Sequence, residues 1–402
     1  MLVIGVGGGY GAALLMTPAT NCPESPEVCE AFGVFWEVWD LASNEFVNPQ
    51  AIDYNHMTDG AINGMLDTLG DQGHTRYLSA EAAQRWNESL SGEFEGIGAY
   101  LDIREGQAMV VAPIEGSPAE SAGLRANDFI IAVDGEETQG WTIEELVARI
   151  RGPKGTEVTL TVRRTDTPAP IDITITRNTI EVPSVTWRML PDNIALVELN
   201  SFAQRSAGEL EAALVEAQDE GAQMLILDLR YNTGGYVSEA MDIASQFLPE
   251  GSTVFLEQDR SGETVPSVTT STGVAQDIPM VVLINYGTAS SAEIVSGALQ
   301  DHNRAKLVGV QTVGTGTVLT IFDVGDGAKL LLGTVQWLTP EGRKIHKLGI
   351  SPDVEVTLDP EASSLSPAEA VELSKEELLQ SEDTQLVQAI KILEEEIGKG
   401  QE

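Results

Sequence analysis

The chemistry in this chain is concentrated in residues 283–319. An apolar run, Met280 to Ile284, leads into Gly287-Thr288-Ala289-Ser290-Ser291, and helical spacing begins at Ala292 and continues to about Leu299. A buried strand, a small-residue turn and an immediate helix would fix a serine hydroxyl at a sharp corner. The N–H groups of the helix's first turn have no partner inside the helix and point forward. Acyl transfer needs such a pair of features, a held Oγ and donors for the developing oxyanion. It also needs a base to take the serine proton.

The elements that must position this turn read as alternating strands and helices over residues 185–355. Ile194 to Leu199 is a strand, Ala207 to Glu220 a helix, Met224 to Leu229 a fully apolar strand and Tyr236 to Phe247 a helix. Continuous apolar strands of this kind belong to sheets covered on both faces. Gly234-Gly235 precedes the last of these helices. The pair either supplies an oxyanion N–H or serves as a turn that needs positive φ, and both roles can hold together.

Residues 92–180 differ, with short alternating strands (Ala108 to Ala112, Phe129 to Val133, Glu157 to Arg163) and a helix Ile143 to Ile150 capped by Thr142 with Glu145 three residues on. Residues 30–90 read as helices. Phe32, Phe35, Trp36, Trp39 and Leu41 recur near helical spacing, as do Ile62, Met65, Leu66 and Leu69, and the aromatics are expected in a core. His74, in a turn, is expected to be structural. The acidic segment from 360 onward is expected to be helical, with Leu378, Leu379, Leu386, Ala389, Ile390 and Leu393 packing back on the body.

A chain of 402 residues can hold two or three domains. Its net charge of -39 argues against nucleic acid and anionic membrane surfaces, which need clustered Lys and Arg. Residues 2–16 are apolar and uncharged, and read as part of a signal peptide or membrane anchor, or as a buried terminal element. Cys22 and Cys29 follow, as one small disulfide loop outside the cytoplasm or as two free thiols. No metal is expected, because two thiolates without histidine partners leave zinc under-ligated, and no organic cofactor, because no phosphate-binding glycine loop is present.

Three runs in order resemble the landmarks of a PDZ domain: Gly96-Ile97-Gly98-Ala99-Tyr100-Leu101, Ser117 to Leu124, and Asp128 to Gly135. The resemblance implies that the first run receives a peptide's C-terminus through backbone N–H groups and a strand edge. From about residue 30 onward the chain resembles the carboxy-terminal processing, or tail-specific, proteases. The supporting runs are Ser91 to Gly98, Leu227-Asp228-Leu229-Arg230-Tyr231-Asn232-Thr233-Gly234-Gly235, the Ser290 turn, Thr339 to Arg343 and Gly349 to Asp353.

That resemblance implies an α/β (α+β multi-domain) protein. Residues 1–29 would be a signal or anchor remnant and linker, 30–91 an N-terminal helical domain and 92–180 a PDZ domain. Residues 181–358 would form a crotonase-like α/β protease core and 359–402 a C-terminal acidic helical tail. It implies an extracytoplasmic serine endopeptidase acting on protein or peptide substrates with free C-termini, with a Ser–Lys dyad and a nearby Gln.

Carried over, the nucleophile falls on Ser290, with Ser291 as local rival. The oxyanion donors fall on the N–H of Ser291 and of Gly234 or Gly235, and the family's Glu falls on Glu293. The lysine position is Thr315 and the glutamine position Leu319. Threonine cannot act as a base near neutral pH, and leucine cannot orient one. The alternative bases are Lys344, His346, Lys347 and Lys329. His302 and Asp301 lie some twelve residues along the helix, about 18 Å from Ser290 and too far for direct transfer. Two readings follow: a serine endopeptidase with a displaced base or with water, or a peptide-binding relative that does not cut.

Overall fold

A computed structural model of the chain describes residues 25–71, 74–104, 106–114, 116–164, 166–325 and 327–400, with side chains up to 396. Residues 2–16 and Cys22 lie outside the described residues. The expectations of an anchor segment and of a Cys22–Cys29 loop fall partly or wholly there, although Cys29 itself is disulfide-bonded. Among the described residues no helix is long and apolar enough to cross a membrane.

The chain divides into two compact units at Gly64/Met65. The first contains the helix Pro26–Glu45 and most of the helix Tyr54–Asp67. The aromatic residues expected in a core here are not buried. Helix Pro26–Glu45 buries none of its residues, and Phe32 and Trp36 are 47% and 50% exposed. Their rings pack on one another instead. Phe35 meets Trp36 edge-on at 5.1 Å, and Trp39 stacks on Tyr54 at 6.2 Å. Helical periodicity reports that the rings share a face; it does not supply a partner broad enough to cover them.

In the second unit the core is a six-stranded sheet ordered Val185–Leu190, Ile194–Leu199, Met224–Asp228, Met280–Ile284, Lys306–Gly309, Val354–Glu355. The first strand is antiparallel to its neighbour and the rest run parallel. Met224–Asp228 and Met280–Ile284 are buried at every position, as expected of strands covered on both faces.

The two-residue alternation divides the side chains between two cores. Ala195, Val197, Leu199, Leu225, Leu227, Val282 and Ile284 meet the helices Ser206–Asp219, Val237–Phe247 and Ser291–Asp301. Ile194, Leu196, Ile226, Val281 and Leu283 meet Leu378, Leu386, Ala389, Ile390 and Leu393 of the acidic C-terminal segment, which does pack back on the body.

Arg230 clamps that second layer. Its guanidinium donates to Asp228 at the end of a core strand and to Asp383 just before the helix Thr384–Gly400. Burial opposes its charge, yet the two carboxylates hold the group protonated above the ordinary arginine value.

Residues 93–181 form a further layer that carries the three PDZ-like runs, the PDZ layer. The strands Ala99–Arg104, Gln107–Pro113, Phe129–Val133, Glu157–Arg163 and Ile171–Thr176 make an antiparallel sheet, with the helix Ile143–Ile150 closed by the expected Thr142/Glu145 capping box. The short pair Glu93–Gly96 and Asn178–Glu181 ties its two ends together.

Candidate active site and peptide groove

The candidate active site is assembled from the loops that follow three adjacent parallel strands, the usual ligand position in an open α/β sheet. The loop after Asp228 carries Gly234 and Gly235, the loop after Ile284 carries Ser290 and Ser291, and the loop after Gly309 carries Thr315.

The loops are stitched together by hydrogen bonds. Thr288 Oγ1 donates to Leu229 O at 2.8 Å, Ala289 N–H to Asn232 O at 2.9 Å and Val313 N–H to Thr288 O at 3.0 Å. Every donor or acceptor used this way in a buried loop is one that would otherwise be left unpaired at a cost.

Ser290 stands at the corner between the strand Met280–Ile284 and the helix Ser291–Asp301, with φ 55° and ψ -121°. A non-glycine residue in this region stores about 1–3 kcal/mol of strain and persists only where its surroundings impose it. The imposing group is Glu293, fully buried in the first turn of the helix. Its carboxylate accepts from Ser290 N–H, Thr312 Oγ1, Gly314 N–H, Thr315 N–H and Thr315 Oγ1. Among the described residues no lysine or arginine pairs with it. Five hydrogen-bond donors satisfy its oxygens instead.

Thr315, where the resemblance implies a lysine, is fully committed to this arrangement. Its Oγ1 accepts from Ser290 N–H at 2.6 Å and donates to Glu293 at 2.6 Å. It braces the backbone of Ser290 rather than accepting its proton. Leu319 lies half-buried beside a bulge in the strand Thr317–Val324.

Ser291 is buried and its hydroxyl donates to Gly235 O at 3.0 Å, whereas Ser290 is part-exposed. Gly234 lets its loop lie against the serine: a Cβ there would fall 2.7 Å from Ser290 Cβ and 2.8 Å from Ser291 N. Its N–H, however, is taken by Asn232 Oδ1 at 2.8 Å. Of the three donors proposed for an oxyanion, those of Ser291 and Gly235 carry no partner among the described residues, and that of Gly234 does. The sequence carries an overlooked signal of this: an Asn two residues before Gly234 is placed for an Asx turn, in which its side chain accepts the N–H two residues on.

The alternative bases face other partners or solvent. Lys329 pairs with Asp323 at 2.8 Å, six residues past Thr317 along a hairpin and so roughly 20 Å beyond it. Lys344 is exposed. Lys347 donates its backbone N–H to Gly314 O, but its ammonium lies against Gly70. The backbone of His346 abuts Gly316, while its ring faces Asp71, with Nδ1 3.8 Å from Oδ1. Among the described residues no lysine or histidine hydrogen-bonds to Ser290. His302 Nε2 meets Thr253 O at 2.7 Å, and Asp301 accepts from Glu341 N–H and Arg343.

His74, expected to be structural, belongs to a polar cluster just past this loop. Its Nδ1 is 2.6 Å from Thr317 Oγ1, and Asp71 accepts from Thr75 Oγ1 and Thr317 Oγ1. Burial pushes the His74 imidazole below its ordinary value of 6.5 against the pull of Asp71, and Arg76 and His346 lower it further. Between the lowered value and 6.5 the unfolded chain binds more protons than the folded one. Stability therefore falls as pH drops through that window and is level above it. The urea midpoint of the wild type is expected to drop more between pH 7.5 and 5.5 than that of His74→Gln.

The PDZ layer offers the second site. Ala99–Arg104 is an edge strand, and with the helix Ile143–Ile150 it bounds a groove of about 260 Å³ lined by Ile97, Ala99, Leu101, Val147 and Ile150. Gly98, at φ 77°, has no room for a Cβ, which would lie 2.5 Å from Ser117 Cβ. Its carbonyl is fixed by Ser117 Oγ at 2.8 Å and Ile114 N–H at 2.9 Å. Gly96 to Leu101 thus form a rigid loop and a free strand edge, with Tyr100 54% exposed.

Comparison with known proteins agrees with this architecture. Residues 193–356 match the model of peptidase family S41 and residues 109–164 that of a PDZ domain. A probable CtpA-like serine protease of Staphylococcus aureus (strain N315) is 37% identical over 320 residues, covering 79% of this chain and 63% of the relative. The carboxy-terminal processing protease CtpA of Bacillus subtilis (strain 168) is 39% identical over 310 residues, covering 77% of this chain and 66% of the relative. The chain thus spans just under two thirds of the length of these relatives. A putative S41 protease from Bacteroides fragilis NCTC 9343, 19% identical, shares the fold with a TM-score of 0.53 over 87% of this chain and 92% of that one. With its PDZ layer, its α/β core and the serine turn between strand and helix, this chain belongs to peptidase family S41.

Proposed function

We propose that the chain holds the free C-terminal tails of proteins or peptides in its PDZ groove and presents them to Ser290, which acts as a serine endopeptidase at a residual rate. One observation carries this reading: the hydroxyl in the lysine position, Thr315 Oγ1, is spent on Ser290 N–H and Glu293. The strained Ser290 and the open N–H groups of Ser291 and Gly235 support some transition-state stabilisation, since oxyanion donors and binding alone retain rate over water. Loss of a positioned base costs roughly 10²–10⁴-fold.

A second reading, a tail-holding protein that does not cut, is favoured by the same saturation of Thr315. The disulfide-bonded Cys29 and the apolar segment ahead of it support an extracytoplasmic location. The groove is tested with a labelled peptide ending in an apolar residue, bound to the full chain. Amidating its terminal carboxylate is expected to weaken binding by about tenfold or more, as expected for loss of a charge-assisted set of backbone hydrogen bonds. Equal binding of both peptides overturns the tail-binding reading.

A further inference from the structure

We propose that Tyr231 and Tyr286 form an aromatic subsite that receives an apolar or aromatic side chain of a peptide lying across Ser290. The inference rests on the tail-binding reading and adds a second point of recognition, distinct from the groove that takes the C-terminus. The two tyrosines stand on the two loops that enclose the candidate nucleophile. Tyr231 is three residues ahead of Gly234, and Tyr286 is four residues ahead of Ser290. Their rings meet edge to face, with centroids 5.7 Å apart at 87° and hydroxyls 3.4 Å apart. Both remain open to solvent, 49% and 69% exposed.

Neither ring is outside the core by default. Tyr231 has φ 58°, a left-handed backbone that a bulky residue adopts only at a cost. Buried Asn285 imposes it: its Oδ1 accepts from Tyr231 N–H and from Gly287 N–H, both at 2.9 Å. Gly287 allows the loops to meet, because a Cβ there would lie 2.9 Å from Tyr231 Cα. Strain, a buried amide and a close glycine contact together hold two rings in water on the loops that lead to the serine. Packing does not require this, since the pair covers little but itself.

Four residues of chain place the Tyr286 backbone within about 14 Å of Ser290. A peptide extended through the site advances roughly 3.3 Å per residue. A side chain two to four residues from the bond facing Ser290 therefore reaches the rings. Two aromatic surfaces at right angles suit an aromatic or aliphatic side chain, for which stacking contributes roughly a five- to tenfold preference.

The test uses the full chain carrying Ser290→Ala, so that peptides remain uncut. Labelled peptides share one apolar free C-terminus and carry either tryptophan or serine at each upstream position in turn, and binding is read by fluorescence anisotropy. At one or two adjacent positions tryptophan is expected to bind five- to tenfold tighter. Tyr286→Ser, and separately Tyr231→Asn, whose side chain tolerates the left-handed backbone, are expected to reduce that preference below twofold. Tyr286→Phe is expected to keep it. In all of these the effect of amidating the C-terminus is expected to persist. Carboxylate-dependent binding with no positional preference, or a preference that survives both substitutions, overturns the subsite and leaves the tail-binding reading standing. Failure of every peptide to bind overturns both.

Discussion

Replacing Thr315 by lysine and Leu319 by glutamine together is expected to raise Ser290-dependent cleavage by roughly 10²–10⁴-fold, the usual contribution of a positioned general base. The expectation follows from what the wild-type site already holds. Ser290 keeps its strained corner, and among the described residues the N–H groups of Ser291 and Gly235 have no partner. Thr315 Cβ must lie near the serine, because its Oγ1 is 2.6 Å from Ser290 N. A lysine there would extend an amine past the serine backbone toward its hydroxyl.

The substitution removes one of the five donors to Glu293 and leaves those from Ser290, Thr312, Gly314 and the backbone of residue 315. The brace should therefore survive. The measurement is the initial rate of peptide cleavage for the double variant with and without Ser290→Ala. A gain that survives loss of the serine would show that the amine, and not Ser290, is responsible.

The largest expected loss of stability is at Arg230. Arg230→Ala is expected to destabilise the second unit by about 3–5 kcal/mol, because it strands two buried carboxylates without their cation. The Arg230 side chain is 1% exposed, and those of Asp228 and Asp383 are 6% and 0%. Asp383 also accepts from Leu386 N–H and Leu365 N–H, so the lost pairing should loosen the start of the helix Thr384–Gly400 and the apolar layer behind it. Urea unfolding gives the magnitude. Hydrogen exchange over residues 384–393 should show the earliest loss of protection. An unchanged midpoint would mean that the carboxylates find water or other donors without cost.

The corner that presents Ser290 was legible because its determinants are local. Met280 to Ile284 is a buried apolar strand, the next residues are small, and helical spacing resumes at once. The Thr142/Glu145 cap and the strand alternation within the PDZ layer were legible for the same reason. Apart from the local Asn232–Gly234 contact, what remained hidden depends on contacts between distant residues. Glu293 reaches Thr312 and Thr315 across 19 to 22 residues, Arg230 reaches Asp383 across 153, and His74 meets Thr317 across 243.

A threonine where the resemblance implies a lysine was visible at Thr315 in the sequence, but what its hydroxyl does was not. Only the geometry shows its hydroxyl consumed on both sides. The aromatic spacing of Phe32 to Trp39 suggested burial and gave the wrong environment, since the rings cover each other in a small helical unit.

The most direct test of the central claim is the single-turnover rate at which the wild type cleaves an unfolded protein with an apolar free C-terminus, measured beside Ser290→Ala under the same conditions. A committed Thr315 predicts that the wild type binds the substrate and cuts it slowly, well below the 1–10³ s⁻¹ typical of enzymes, with Ser290→Ala slower still. Wild-type cleavage at 1 s⁻¹ or faster, abolished by Ser290→Ala, would contradict the account, because a base would then have to act on Ser290 although no lysine or histidine hydrogen-bonds to it among the described residues.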